Sequence, residues 1–225
     1  ASYHDIDGIF REGVGFRMGP FELMDLTGLD TTHPATEMIY SQFYQEPRFR
    51  PSLMMSLRKD AGLLGRKSKQ GFYSYAENSA TNKKECAVGT REDRSVWISD
   101  AEPEASESLR QLIVTSGGQL ERGSKPSEHA LILVTPIGED ATTAIVNQKL
   151  DSARTLAVDP LFGIGRRITL MRTPITSKDS IAAALELLSG QEAPVTLIND
   201  SPGFVAQRVI AMMINISCAA AQAKT

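Results

Sequence analysis

The chain has 225 residues, 41% of them hydrophobic, and a formal net charge of −3. That leaves room for one or two domains with a real core, and charges mixed in sign give no electrostatic footprint for nucleic acid or an anionic membrane surface. No apolar run approaches the roughly 18 residues of a membrane span, no signal peptide is visible, and Cys86 and Cys218 lack metal-ligand spacing; they read as free thiols of a reducing, cytoplasmic compartment.

Residues 1 to about 76 read as helices. Asp5 or Asp7 is placed to cap a short helix through Ile9 and Phe10, closed by Gly13 and Gly15. Pro20 needs no N–H partner and can open a helix after Gly19, with Phe21 and Met24 on its inner face, Leu23 and Leu26 beside them, and Gly28 as a left-handed stop that asparagine would tolerate better than valine. Thr31 and Thr32 precede Pro34 as the cap of a helix through Met38, Ile39, Gln42 and Phe43, and Pro51 opens another through Leu53, Met54 and Leu57 that ends near Gly62. The stretch 71–75 alternates briefly and is expected to be extended.

Residues 77–94 are polar and read as a linker. From 95 to about 199, short apolar runs alternate with helical spacing. Strands are expected at 95–98, 130–134, 155–158, 168–171 and 194–198, with helices at 104–114, 140–148 and 178–188. The run Ala130-Leu131-Ile132-Leu133-Val134 suits a strand buried on both faces, so the region reads as an α/β layer with a mostly parallel sheet. From Asp200 a helix with Ser201 as cap and Pro202 in its first turn is apolar nearly all round and is expected to be buried against elements outside its own hairpin, in another subunit. Opening without Met at Ala1 and stopping at Thr225 inside a helical pattern, the chain reads as a piece of a longer protein.

The run from Gly15 to Asp30, Gly-Phe-Arg-Met-Gly-Pro-Phe-Glu-Leu-Met-Asp-Leu-Thr-Gly-Leu-Asp, resembles the start of the C-terminal helical domain of 3-hydroxyacyl-CoA dehydrogenases. Pro51-Ser52-Leu53 with the segment from Gly65 to Tyr73 resembles the close of that domain. Asp200 to Arg208 resembles the junction between the family's nucleotide-binding and helical domains. The resemblance implies the C-terminal part of the long bacterial, NAD-dependent form. Residues 1–76 would be an all-α domain of the 6-phosphogluconate dehydrogenase C-terminal kind, 77–94 a linker, 95–199 a degenerate Rossmann-like α/β domain, and 200–225 the start of a second helical domain.

The full enzyme would use NAD to oxidise a 3-hydroxyacyl-CoA, in fatty-acid or aromatic-acid degradation. This piece is expected to be inactive and to bind no NAD. The turn after the 95–98 strand holds Asp100, Glu102 and Glu104, and no glycine occurs between Gly89 and Gly117, whereas a dinucleotide site needs close backbone approach to the pyrophosphate. The family's His-Phe-Phe-Asn-Pro segment is replaced by Asp159-Pro160-Leu161-Phe162, and its glutamate partner falls near Met171-Arg172, which leaves no general base. No catalytic, cofactor or metal residue is therefore assigned, and Gln207, Arg208 and Met18 are the candidate substrate contacts.

Other residues read as structural. His4 is a capping or solvent residue and His129 begins a buried strand. Arg58, Lys59, Arg66, Lys67 and Lys69 form a solvated turn rather than a CoA-phosphate cradle, and Glu22 and Asp25 are expected to pair with Arg17 or a lysine. Pro136 to Asp140 is expected to cap a helix rather than hold an anion. The methionines Met18, Met24, Met38, Met54 and Met55 suit an adaptable apolar surface, a homodimer interface or a wall of an acyl pocket. The rival reading is a non-catalytic dimerisation or assembly module; a self-standing reductase is disfavoured by the acidic 99–104 segment.

Overall fold

The computed structural model describes residues 1–76, 94–189 and 193–223. The expected linker and Cys86 lie outside the described residues, apart from Arg94. The chain forms two compact units. One is Phe16–Glu85, and the other joins Ala1–Gly15 to Cys86–Thr225.

The smaller unit is helical. Helix α2 (Pro20–Thr27) begins at Pro20 as the sequence predicts, and its Glu22 carboxylate accepts from the Gly19 N–H at 3.2 Å. Gly28 has positive φ, but at φ 87° and ψ 134° it is not in the left-handed helical well that closes many helices. It joins α2 directly to α3 (Leu29–Gln42). Thr31, Thr32 and Pro34 are thus inside α3 rather than ahead of it: the Gly28 carbonyl accepts the Thr32 N–H at 2.9 Å and starts the helix three residues early. Helix α4 (Leu53–Asp60) starts after Pro51 and Ser52, and Gly62 follows with φ 73°. The stretch 71–75 is bent, held by an isolated bridge between Gln70 and Ser74, not a strand.

The core of this unit is small: Leu29, Met55 and Phe72, backed by Phe21, Met24 and Tyr73. Its centre is polar. Asp25 is buried, and its carboxylate accepts from the N–H groups of Phe72 (2.9 Å) and Tyr73 (2.8 Å) and from the Tyr75 hydroxyl (3.1 Å). That corrects the expected ion pair with Arg17 or a lysine. Asp25 ties α2 to the last described residues of the unit through backbone donors, which satisfy a buried carboxylate as a cation would. Burial and the Asp25 charge hold the Tyr75 hydroxyl above its ordinary range. Gly65 and Gly71 have no Cβ because the Asp25 backbone and carboxylate fill that space.

The larger unit contains the sheet, with β1 (Val96–Ile98), β2 (Leu131–Val134), β3 (Thr155–Val158), β4 (Ile168–Arg172) and β5 (Val195–Asn199) side by side in that order. All pairings are parallel except β3 with β4. β2 is buried throughout, as its continuous apolar run predicts. Strand alternation sorts the core onto two faces. Val96, Ile98, Leu131, Leu133, Leu156 and Val158 meet α5 (Pro103–Thr115) and α7 (Lys178–Ser189). Val134, Ala157, Met171 and Ile198 meet α6 (Ala141–Gln148) and Phe204 on the opposite face.

Two departures from expectation have physical causes. The last helix, α8 (Val205–Ala223), begins after Pro202 because Gly203 turns at φ 69° to send Phe204 under the sheet. Residues 1–15 join the α/β unit rather than the helical one. Ser2, not Asp5 or Asp7, caps α1 (Tyr3–Gly8), and Asp5 completes the capping box. A π-helix over Ile9–Val14 then ends at Gly15 with φ 89° and lies against α8. Arg167 donates to Glu12 at 2.5 Å and to the Thr196 hydroxyl at 3.0 Å, which fastens the segment to the sheet.

Candidate functional site

In open α/β sheets chemistry collects at the carboxyl ends of strands, where the chain leaves two neighbouring strands in opposite directions. That point lies between β1 and β2 here. After β1 the chain passes through α5 and returns beside the outer edge of β1, where the Val96 N–H donates to the Gln119 carbonyl (2.8 Å) and the Glu121 N–H donates to the Val96 carbonyl (2.8 Å). It then crosses to β2 on the other side of β1 and leaves it through α6.

The residues at this point do not fit a dinucleotide. Ser99, buried at the end of β1, donates its hydroxyl to Gln148 at 2.5 Å, and its carbonyl accepts from the Ser106 hydroxyl. Asp100 is exposed and paired with Arg110, with Glu102 and Glu104 following into α5. The start of α6, the other place for an anion, holds two of the protein's own carboxylates. Asp140 accepts from the Thr143 N–H at 2.5 Å, and Asp200 accepts from the Ala141 N–H at 2.9 Å and from the Thr142 hydroxyl. Positive helix ends that would attract a pyrophosphate are neutralised from within. Asp140 is the cap that the sequence predicts.

A second cluster ties three connections together. Gln207, in the first turn of α8, is buried at 6% exposure. Its amide donates to the Pro136 carbonyl (3.2 Å) and to Asp159 Oδ1 (2.8 Å), and its amide oxygen accepts the Gly138 N–H (2.8 Å). Asp159, directly after β3, also accepts the Leu161 N–H at 3.1 Å. Burial pushes the Asp159 carboxyl above the usual carboxylate range, and the Gln207 and Leu161 donors only partly offset it. The segment that reads as lacking a base thus holds a half-buried titratable acid. Its sequence signal, Asp-Pro after a strand, is that of an ordinary turn, which is why sequence reasoning passes over it.

Of the three candidate substrate contacts, Gln207 and Arg208 belong to the α/β unit and Met18 to the helical unit. Gln207 is spent on internal hydrogen bonds, Arg208 is exposed one residue later, and Met18 is half-buried ahead of α2 in the helical unit. Four of the five basic residues of 58–69 have partners. Lys67 pairs with Asp30 at 2.7 Å, Arg58 stacks on Phe72 and donates to the Gly71 carbonyl, Arg66 lies over Tyr75, and Lys59 is 3.8 Å from Asp60. His4 is exposed against Tyr3. His129 is also exposed, a correction to its expected place in a buried strand, because β2 begins only at Leu131. No group of three or more metal-ligating side chains occurs among the described residues, and no described helix is long and apolar enough to cross a membrane.

Residues 1–75 match the family described as 3-hydroxyacyl-CoA dehydrogenase, C-terminal domain. The chain is 29% identical over 210 residues to 3-hydroxyadipyl-CoA dehydrogenase of Escherichia coli, covering 93% of this chain and 39% of that protein. A probable 3-hydroxyacyl-CoA dehydrogenase of Caenorhabditis elegans is 44% identical over 75 residues, 33% of this chain and 24% of that one. The crystal structure of 3-hydroxybutyryl-CoA dehydrogenase from E. coli superposes on 99% of this chain and 42% of its own, at TM-score 0.69 and 27% identity. The chain therefore spans about two-fifths of these E. coli relatives and about a quarter of the nematode one. The match to the 3-hydroxyacyl-CoA dehydrogenase C-terminal domain is thus carried by residues 1–75, and the likeness to the E. coli relatives extends over nearly all of the chain.

Proposed function

We propose that this chain is the C-terminal portion of an NAD-dependent 3-hydroxyacyl-CoA dehydrogenase that oxidises the 3-hydroxyl of an acyl-CoA to a ketone, in fatty-acid or aromatic-acid degradation in the cytoplasm. The observation that carries this reading is the likeness to the E. coli enzyme along nearly the whole chain, in helical and α/β units alike. The portion supplies subunit and substrate-side contacts and is itself inactive. Filled helix starts and an acidic β1–α5 turn support that part, since they offer NAD no phosphate cradle. Arg208 and Met18 are the side chains available to substrate, while Gln207 acts by positioning.

The portion also joins a homodimer. Leu23, Leu26, Met38, Phe43, Leu53 and Leu57 of the helical unit are exposed, as are Met212, Met213 and Ile214 of α8, so each unit by itself presents apolar surface that an interface would cover. The same surface favours the second reading, a dimerisation or assembly module without a substrate role.

The test has two arms. A longer protein containing this chain should reduce NAD with 3-hydroxybutyryl-CoA. The 225-residue chain alone should neither turn over acetoacetyl-CoA with NADH nor give heat with NAD in calorimetry, and light scattering should report a dimer. Turnover by the chain alone would overturn the inactive-portion reading, and a longer protein inert to every acyl-CoA would overturn the dehydrogenase reading.

A further inference from the structure

A wide-mouthed cavity of about 610 Å³ lies within the α/β unit, between one face of α5 and the loop 162–166. Its size is that of an ordinary small-molecule site. Ser108, Gln111, Leu112 and Thr115 line one wall, at the spacing that puts them on successive turns of a single helix face. Phe162 and Arg166 line the other, with Gly163 and Gly165 between them. At both glycines the position a Cβ would take is clear of other atoms.

The charge on this loop is divided unequally. Arg167 is consumed by Glu12, Asp5 and Thr196, whereas Arg166, exposed and lining the cavity, has no ion-pair or hydrogen-bond partner among the described residues. The Gln111 amide has no hydrogen-bond partner among the described residues either. The Ser108 and Thr115 hydroxyls already donate to carbonyls of their own helix, which leaves them as acceptors. Beside these polar groups Phe162 is 43% exposed, apolar surface that a bound molecule could cover. An unpaired guanidinium selects a carboxylate, which it meets through two parallel hydrogen bonds. The neighbouring phenyl and leucine surfaces select an apolar body.

We propose that this groove binds a small amphipathic carboxylate, with its head on Arg166 and its hydrocarbon body between Phe162 and Leu112. The proposal is independent of the dehydrogenase reading, because it needs neither NAD nor a CoA moiety.

Octanoate is the probe, with octanol as its uncharged counterpart, titrated into the 225-residue chain labelled for amide NMR. Octanoate should saturate shifts in residues 108–115 and 162–166, and octanol should bind the same residues at least about tenfold more weakly. Arg166→Met should weaken octanoate at least about tenfold and leave octanol unchanged, and Arg166→Lys should fall between, since a lysine keeps the charge without the fork. Arg166 is exposed and unpaired, so the melting temperature should not move, which separates lost binding from lost folding. Equal affinity for octanoate and octanol, unchanged octanoate affinity in a folded Arg166→Met, or shifts outside these residues would each overturn the proposal.

Discussion

The Arg167 guanidinium occupies the space in which a Cβ on Gly8 would stand. A Cβ there would push the guanidinium aside, although the Gly8 φ of −62° is helical and strains no residue. The guanidinium reaches past Gly8 to Glu12, whose carboxyl is pushed up by burial but held below its usual range by Arg11 and Arg167. Together with the packing of the π-helix on α8, this contact holds residues 1–15 to the α/β unit.

Gly8→Ala should displace Arg167 and loosen the first 15 residues. Hydrogen exchange of the Ile9–Val14 amides should speed up by about tenfold or more, the loss of roughly 1.4 kcal/mol of local protection. Arg167→Met, which spares the aliphatic packing and removes the ion pair, should give a similar increase. Unchanged exchange in both variants would show that α8 alone holds the segment.

Gln207→Leu should destabilise the α/β unit by about 1–2 kcal/mol, because it leaves the buried Pro136 carbonyl, and the partly exposed Gly138 N–H and Asp159 carboxylate, without their partner. Gln207→Asn, one methylene shorter, should not recover most of that loss. Urea melts followed by Trp97, the single tryptophan, report this unit directly. A loss below about 0.5 kcal/mol would mean that water replaces all three contacts.

The elements that sequence periodicity locates well are those decided by burial. All five strands and α5, α6 and α7 fall within a residue or two of expectation, because continuous apolar runs and 3.6-residue spacing record which face meets the core. The misplaced starts of α3 and α8 depend on glycine dihedrals. Gly28 and Gly203 carry no side-chain signal of their ψ, and their neighbouring prolines suggest a first turn that the backbone does not make. The Asp25 clamp and the Asp159–Gln207 bond join residues about 48 positions apart, a separation at which local pattern is silent. The absence of glycine after β1, by contrast, is legible directly, since a phosphate-binding turn depends on local residue type.

Asp159→Asn should stabilise the chain at neutral pH. With its folded-state pKa raised by burial, Asp159 favours folding when protonated, and that contribution is complete below the unfolded value of about 3.9 and lost as pH rises through the folded value. The advantage of Asp159→Asn over the parent should therefore be largest near pH 7 and shrink as pH falls toward about 4. Comparing the two proteins cancels the opposite acid sensitivity of Glu12, Asp30, Glu121 and Asp151, whose carboxyls sit below their usual range. A constant difference across this pH range would show that Asp159 does not titrate there.

Gly28→Asn and Gly28→Val should both be damaging, and to a similar degree. Asparagine tolerates the left-handed helical well, but φ 87° with ψ 134° lies outside it, in a region that only glycine enters without strain. Any Cβ would also meet the Lys67 side chain and the Asp30 carboxylate, and so break the ion pair that joins the start of α3 to the 66–68 turn. Strain and lost pairing together set a cost of about 2 kcal/mol or more for each variant. Gly28→Ala isolates the backbone part with the smallest Cβ and should carry most of that cost. Hydrogen exchange of the α2 and α3 amides locates the effect in the helical unit, while Trp97 fluorescence should melt as in the parent. If Gly28→Asn proved nearly neutral while Gly28→Val did not, the residue would occupy the ordinary left-handed well, and α2 and α3 would be separated by a conventional helix cap.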